Sequence, residues 1–239
     1  MTTDTTDWPE QLRLPGQTAA HPGPVDMTMM YVMHHAFRRD LEAFATAAGT
    51  TPASDRRAWK AMAARWAIFS SALHHHHSGE DAGLWPALMD RADDEGRATL
   101  EAMEAEHSEI DPILEACAAG LQRLAEHPDD DARAALAVRL VAARERLAEH
   151  LKHEETEAIP LIQALLTQEE WERIEKEQFS EGLGLRDILP LVPWALHGVP
   201  ATVRRGLFAQ PGGGMHRVMW MLTRRRFARQ DAAAFGRSA

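Results

Sequence analysis

Apolar residues recur at alternating steps of three and four along four long stretches of the chain, which is the spacing of one face of an α-helix. The stretches cover residues 26–49, 55–80, 94–124 and 132–165. Short segments with proline, glycine or aspartate separate them. Four long helices with short connections predict an all-α protein built as an up-down-up-down four-helix bundle.

The chain divides into three predicted parts. Residues 1–25 are rich in Thr, Pro and Gly and predict an extended N-terminal arm. Residues 26–181 hold the bundle and a further short helix from Thr167, where Thr167 and Glu170 have the spacing of a capping box. Residues 182–239 form a basic extension broken by Pro and Gly, with one basic amphipathic helix predicted at 215–230.

Histidine and glutamate interrupt the apolar stripes of all four helices. The segments Leu73–Pro86 and Leu147–Pro160 align without a gap as L-x2-H-x3-E-x5-P, so the chain contains an internal repeat. A His and a Glu four residues apart lie on the same helix face, about one turn apart, and can reach the same metal ion or ion pair. The candidate ligands are His34, His76, Glu80, His107, His150 and Glu154.

Each candidate taken singly has an ordinary structural interpretation. A lone His on an apolar stripe is usually a hydrogen-bonded core residue, and a buried Glu is usually paired with Arg. Here the inner stripes of the second, third and fourth helices contain no Lys or Arg. Since an uncompensated buried carboxylate costs several kcal/mol, the pattern favours bound cations.

Neighbouring histidines make the register ambiguous. The repeat and the Leu that precedes each motif select His76 and His150, and the stripe of the first helix selects His34. We therefore place five other histidines at the surface or around the ligands: His35, His74, His75, His77 and His153. Whether Tyr31, His77 or Asp111 joins the site stays open.

The donor types restrict the metal. Cys117 is the only cysteine, which excludes a disulfide within the chain and a cysteine cage. Imidazole and carboxylate donors suit iron, manganese or zinc. Four His and two bridging Glu supply about eight of the roughly twelve bonds that two octahedral ions need, which leaves positions for a solvent bridge and a small outside ligand.

Charge is unevenly distributed. The formal net charge is −10, but residues 182–239 carry +7 and the remainder −17. The acidic body disfavours a nucleic-acid partner. We expect the basic extension to dock on that body, with a partner protein or a membrane surface as alternatives. The chain shows no secretory signal and no run of roughly 20 apolar residues, so a cytoplasmic location is expected.

These motifs resemble those of the hemerythrin-like, or HHE cation-binding, proteins. The similarity covers about residues 26–166: His34 and Arg38 form H-x3-R, the repeat supplies H-x3-E twice, and EAEHSEID contains the His of the third helix. The resemblance implies two iron ions with an oxo or hydroxo bridge, bound by the four histidines, with Glu80 and Glu154 bridging. The long extension resembles that of actinobacterial hemerythrin-domain proteins.

The chain departs from the oxygen-carrying hemerythrins of marine invertebrates. Those proteins use a fifth His one turn after that of helix three and an Asp five residues after that of helix four, where this chain has Asp111 and Glu154. The pattern is closer to the iron-sensing HHE domain of an F-box protein.

Three function classes follow. The first is a diiron protein that binds O2, NO or peroxide in sensing or handling of oxygen, NO or iron. The second is a diiron oxidative enzyme that removes peroxide, oxidises iron or oxidises a small substrate. The third is a structural bundle that acts through its basic extension. Buried, incomplete ligation favours the first two.

Overall fold

The computed structural model describes residue 8 and residues 10–236. The described chain is helical, so the prediction of an all-α bundle with a helical C-terminal extension is confirmed. The α-helices are α1 (Thr28–Thr50), α2 (Arg56–Gly79), α3 (Trp85–Met89), α4 (Asp94–Glu126), α5 (Asp130–His153), α6 (Ile159–Leu165), α7 (Gln168–Ile174), α8 (Leu185–Ala195), α9 (Ala201–Ala209) and α10 (Gly213–Phe235). Three π-helical segments accompany them: Glu80–Leu84, Glu154–Ala158 and Glu175–Ser180.

Aspartate side chains begin three of the four bundle helices. Asp55, Asp93 and Asp129 each accept a hydrogen bond from the backbone N–H three residues ahead, at 3.0, 2.9 and 2.8 Å. Such a cap satisfies one of the free N–H groups at a helix start. The connection between α4 and α5 is accordingly short, since Asp129 caps α5 three residues after the last residue of α4. The capping box of Thr167 and Glu170 is present as predicted.

The core is divided by a polar layer. Helix α1 packs on α5, α5 on α4, and α4 on α2. On α4, Met103 belongs to one apolar cluster and Ile110 to another, and His107 lies between them. The same division occurs on α1, where Tyr31 lies in the first cluster and Phe37 in the second. The candidate ligands therefore occupy one level of the bundle, with packed side chains above and below.

Both copies of the repeat loosen into a π-helical turn at the same point. The turns begin at Glu80 and Glu154, the glutamates of the two motifs, and Pro86 and Pro160 follow in the first turn of α3 and α6. A proline is tolerated there because its missing N–H is not needed. Widened turns of this kind are frequent at functional sites.

The N-terminal arm and the C-terminal extension both contact the bundle. In the arm, Leu14 is buried and the N–H of Thr18 donates to Glu155 at 2.7 Å. In the extension, the indole N–H of Trp194 on α8 donates to Asp40 on α1 at 2.7 Å. The extension forms three helices, whereas the sequence predicted one. Pro190 and Pro193 lie within α8, which explains why that helix was not predicted. The three-part division of the chain stays a prediction.

None of the described helices has an apolar stretch long enough to cross a membrane.

Candidate metal centre

The structure brings all six predicted ligands into one buried layer. No member of the set is more than 4% exposed. They come from α1, α2, α4, α5 and the first residues of two π-helical turns: His34, His76, Glu80, His107, His150 and Glu154.

Three of the six side chains form a first group. One ligand atom each from His34, His76 and Glu154 lies within 4.8 Å of the other two. The closest contact joins Nε2 of His34 to Oε2 of Glu154 at 3.1 Å. Glu80 adjoins this group, with Oε1 3.2 Å from Nε2 of His76.

A second group of three lies beside the first and contains only histidines. Ring nitrogens of His77, His107 and His150 lie within 4.8 Å of one another, and the Nε2 atoms of His107 and His150 are 3.2 Å apart. The other oxygen of Glu80, Oε2, is 3.6 Å from Nε2 of His107. Oε2 of Glu154 is 4.0 Å from Nε2 of His150. Both glutamates therefore adjoin both groups.

His77 is the member of the second group that the sequence placed outside the ligand set. Successive residues of a helix point about 100° apart, so His76 faces the first group and His77 the second. His77 is buried, and its ring stacks on that of His107. The internal repeat could not reveal it, because the repeat places Leu151 opposite His77. The run of four histidines at 74–77 was the available signal.

The other neighbouring residues stay outside both groups. His74 and Asp111 are exposed, so Asp111 does not extend the set contributed by α4. His35 is buried, but its Nδ1 lies 3.3 Å from the carbonyl oxygen of Pro15. Nε2 of His75 lies 2.9 Å from the carbonyl oxygen of Phe179. Tyr31 is buried in the adjacent apolar cluster, and burial raises its pKa to about 12.

Three histidines of the layer are oriented from behind by carboxylates. Nδ1–H of His34 donates to Glu155 at 3.0 Å, that of His107 to Asp81 at 2.8 Å, and that of His150 to Glu106 at 2.8 Å, because a carboxylate can only accept. Each bond turns the Nε2 atom toward the centre of the layer. A carboxylate behind the ring in this way is the usual arrangement around metal-binding histidines.

Glu155 connects this orientation to two further parts of the chain. Besides His34, it accepts hydrogen bonds from Nη1 of Arg38 at 2.6 Å and from the N–H of Thr18 in the arm. Burial opposes the charge on Glu155, but His34 and Arg38 outweigh burial and lower its pKa. The Arg of the H-x3-R motif thus stabilises the carboxylate that orients His34.

Comparison with known proteins gives the family. The family model described as the hemerythrin HHE cation binding domain matches residues 26–162, more than half of the 239 residues. The chain belongs to the hemerythrin HHE cation-binding family. No curated protein matches it, and no solved structure does.

In the described part of the chain, neither Lys nor Arg lies within 4 Å of the two central glutamates of this HHE domain. Their neighbours at that distance are the histidines of the layer. Both oxygens of each glutamate are buried without a hydrogen-bond partner, as are ring nitrogens of His34, His76 and His77. These unpaired atoms point into one small volume and could hold metal cations.

The pKa values of the central side chains indicate where protons sit when no cation is bound. Burial and the neighbouring charge of Glu154 raise the pKa of Glu80 well above its ordinary value. Burial opposes a charge on His34, but Glu154 and Glu155 outweigh burial and raise its pKa to about 9. Burial lowers the pKa of His76 to about 3, so that ring is neutral and able to ligate. A cation that binds must displace the protons of Glu80 and His34.

Proposed function

We propose that this HHE domain is a non-haem diiron protein that binds O2, NO or peroxide. One iron would be held by His34, His76 and Glu154, and the other by His77, His107 and His150. Glu80 and Glu154 would join the two ions. The convergence of buried carboxylate oxygens and imidazole nitrogens that have no Lys or Arg partner carries the proposal, since metal cations compensate the carboxylates and engage the imidazoles together.

The donor count favours an incomplete coordination shell. Five imidazoles and two bridging carboxylates supply about nine of the roughly twelve bonds of two octahedral ions. The remaining positions would accept solvent and one small ligand. Iron is favoured by the family, and manganese and zinc accept the same donors.

Burial restricts what reaches the centre. Since none of the six predicted ligands is more than 4% exposed, a molecule larger than a diatomic gas or peroxide would have to separate the helices. When bound, an iron pair supplies the capacity to bind and reduce such molecules. The protein's residues keep the site dry, orient the imidazoles and hold protons at their Nδ1 atoms. These properties support a role in sensing or handling O2, NO or iron.

One observation favours an oxidative enzyme as the second candidate. Glu106 accepts hydrogen bonds from Nδ1 of His150 and from Nδ1 of His153, both at 2.8 Å. The side chain of His153 is 33% exposed. A chain of three titratable groups therefore links the buried layer to solvent. Proton delivery of this kind is needed for the reduction of O2 or peroxide and not for reversible binding.

An optical titration separates the two functions. The iron-loaded protein is reduced and then mixed with O2, NO or peroxide while its absorption spectrum is recorded. A spectral change that reverses when the gas is removed supports binding. Irreversible oxidation that is slowed by His153→Ala supports the enzyme. An iron-loaded protein whose spectrum responds to none of the three ligands contradicts both.

A further inference from the structure

Helix α10 leaves one face without a partner. We define the outer face of α10 as Met215, Val218, Met221, Leu222, Arg225, Arg226 and Arg229. Met215, Val218, Leu222, Arg225 and Arg229 follow steps of three, four, three and four, so they form a single stripe. The stripe is apolar over its first two turns and cationic afterwards.

The apolar part of this face is well exposed. Leu222 is 75% exposed, Met215 58%, Val218 50% and Met221 48%. The opposite side of the helix already serves the fold, because Met219, Phe227 and Ala234 are buried in the core. The outer face is therefore not needed to hold α10 on the bundle.

The cationic part is not neutralised by the protein. No Asp or Glu occurs between Asp187 and Asp231, although the chain has 36 acidic residues. In the described part of the extension, no arginine lies within 4 Å of a carboxylate. In the ion contact between Arg65 of α2 and the buried Asp231 of α10, 3.6 Å apart, the bundle supplies the cation and the extension supplies the carboxylate. The positive charge of the outer face thus remains available.

We propose that the outer face of α10 binds an anionic lipid surface. Anionic headgroups complement the unpaired arginines, and Met, Leu and Val side chains insert at the acyl boundary. A specific protein partner is less suited, because Trp and Tyr stand beside Arg among the anchors of protein interfaces, and this face exposes arginines but no aromatic residue. Flexible Met, Leu and Arg side chains instead fit a fluid surface that has no fixed shape. Lipid binding by this face would not require a metal in the bundle.

Vesicle co-sedimentation of the full-length protein tests this proposal. We expect binding to vesicles of phosphatidylcholine and phosphatidylglycerol in equal parts, and little binding to phosphatidylcholine alone. Raised salt should weaken the binding, since exposed charges are screened. Absence of binding to the anionic vesicles, or equal binding to both kinds, overturns the proposal.

Two variants, each of which removes three positive charges, test whether the outer face of α10 is the surface that binds lipid. In the test variant Arg225, Arg226 and Arg229 become Gln, and in the control Arg56, Arg57 and Lys60, which are exposed at the start of α2, become Gln. Each arginine near an anionic surface contributes about fivefold, so the test variant should bind about a hundredfold more weakly. Circular dichroism and metal content should match the wild type in both. Equal weakening of vesicle binding in the control variant overturns the assignment of the lipid surface to α10. Sedimentation of the wild type without vesicles, through self-association, overturns it as well.

Discussion

The imidazole rings of His77 and His107 stack in parallel, with their centroids 3.8 Å apart and an angle of 8° between the rings. The two residues come from different helices, and His150 completes the group with its ring edge-on to both. His77 therefore lies where a ligand of the second ion would lie. Its neighbour in the chain, His76, belongs to the group that would hold the first ion.

Replacing His77 should affect one ion more than the other. In His77→Ala we expect bound iron to fall from about two to about one per chain, because one group loses one of its three imidazoles. Metal analysis of the purified protein measures this. His74→Ala is the matched control, since His74 lies in the same run and is exposed. Equal iron in both variants would remove His77 from the ligand set.

Glu155 should control how tightly metal is held. Glu155→Gln removes the charge that orients His34 and pairs with Arg38. Loss of an outer carboxylate typically lowers metal affinity by about 10–100-fold. A competition titration with a chelator measures the change. Glu157→Gln, at an exposed position of the same π-helical segment, should leave affinity unaltered, and equal affinities in both variants would contradict the role of Glu155.

The sequence predicts the bundle well because its helices bury one continuous stripe each. The steps of three and four from Met30 through His34 to Leu41 depend only on local geometry, so the stripe identifies the inner face directly. The same logic places the four selected histidines on the inner faces of their helices, and the repeat adds Glu80 and Glu154.

The remaining site features depend on contacts between helices. From the sequence, Glu155 would be taken for an exposed acidic residue next to Glu154. It is buried only because α1 and the N-terminal arm pack against it. Glu106 and Asp81 likewise cannot be identified from the sequence, because only the folded structure places them against the rings of His150 and His107. In the extension, the prolines of α8 interrupt the pattern from which the other helices were predicted, so α8 was not predicted.

Asp40 should be important for stability although it is outside the metal centre. It is 1% exposed and accepts hydrogen bonds from Arg39, Arg65 and Trp194. Asp40→Asn removes the carboxylate that pairs with Arg39 and leaves Arg65 with Asp231 alone, 3.6 Å away. Breaking a buried ion pair costs about 3–5 kcal/mol in comparable cases. Urea unfolding of metal-loaded protein measures this cost. Glu42→Gln, which removes an exposed ion pair with Arg144, should change stability by less than about 0.5 kcal/mol.

The contribution of Asp40 should vanish in acid. Burial would raise its pKa, but Arg39 and Arg65 outweigh burial and lower it. A carboxyl group with a lowered pKa in the folded state stabilises the protein above its unfolded pKa, and this contribution is lost as pH falls through the folded pKa. The difference in unfolding free energy between wild type and Asp40→Asn should be constant from about pH 7 to 5 and shrink below about pH 4. A difference that grows in acid would contradict the assignment.

A side chain at Gly79 should destabilise the fold. A Cβ atom there would lie 2.7 Å from Cε1 of Phe179 in the π-helical segment that closes over the end of α2. Gly79→Ala should therefore lower the free energy of unfolding by about 1–3 kcal/mol through overpacking. Gly49, at the end of α1, has open space around it, so Gly49→Ala should be neutral or stabilise by up to about 1 kcal/mol. Thermal unfolding of the two variants compares them, and an equal effect of both would show that the close approach of Phe179 is not restrictive.

Metal binding should depend most directly on the two central glutamates, and iron analysis of the double variant Glu80→Gln with Glu154→Gln tests this dependence. The wild type should contain about two irons per chain, as two groups of donors imply. The double variant should remain helical by circular dichroism and contain almost none, because neutral amides neither need nor attract a cation. Full iron content in the folded double variant, or a wild type that takes up no iron when it is supplied, would contradict the central claim.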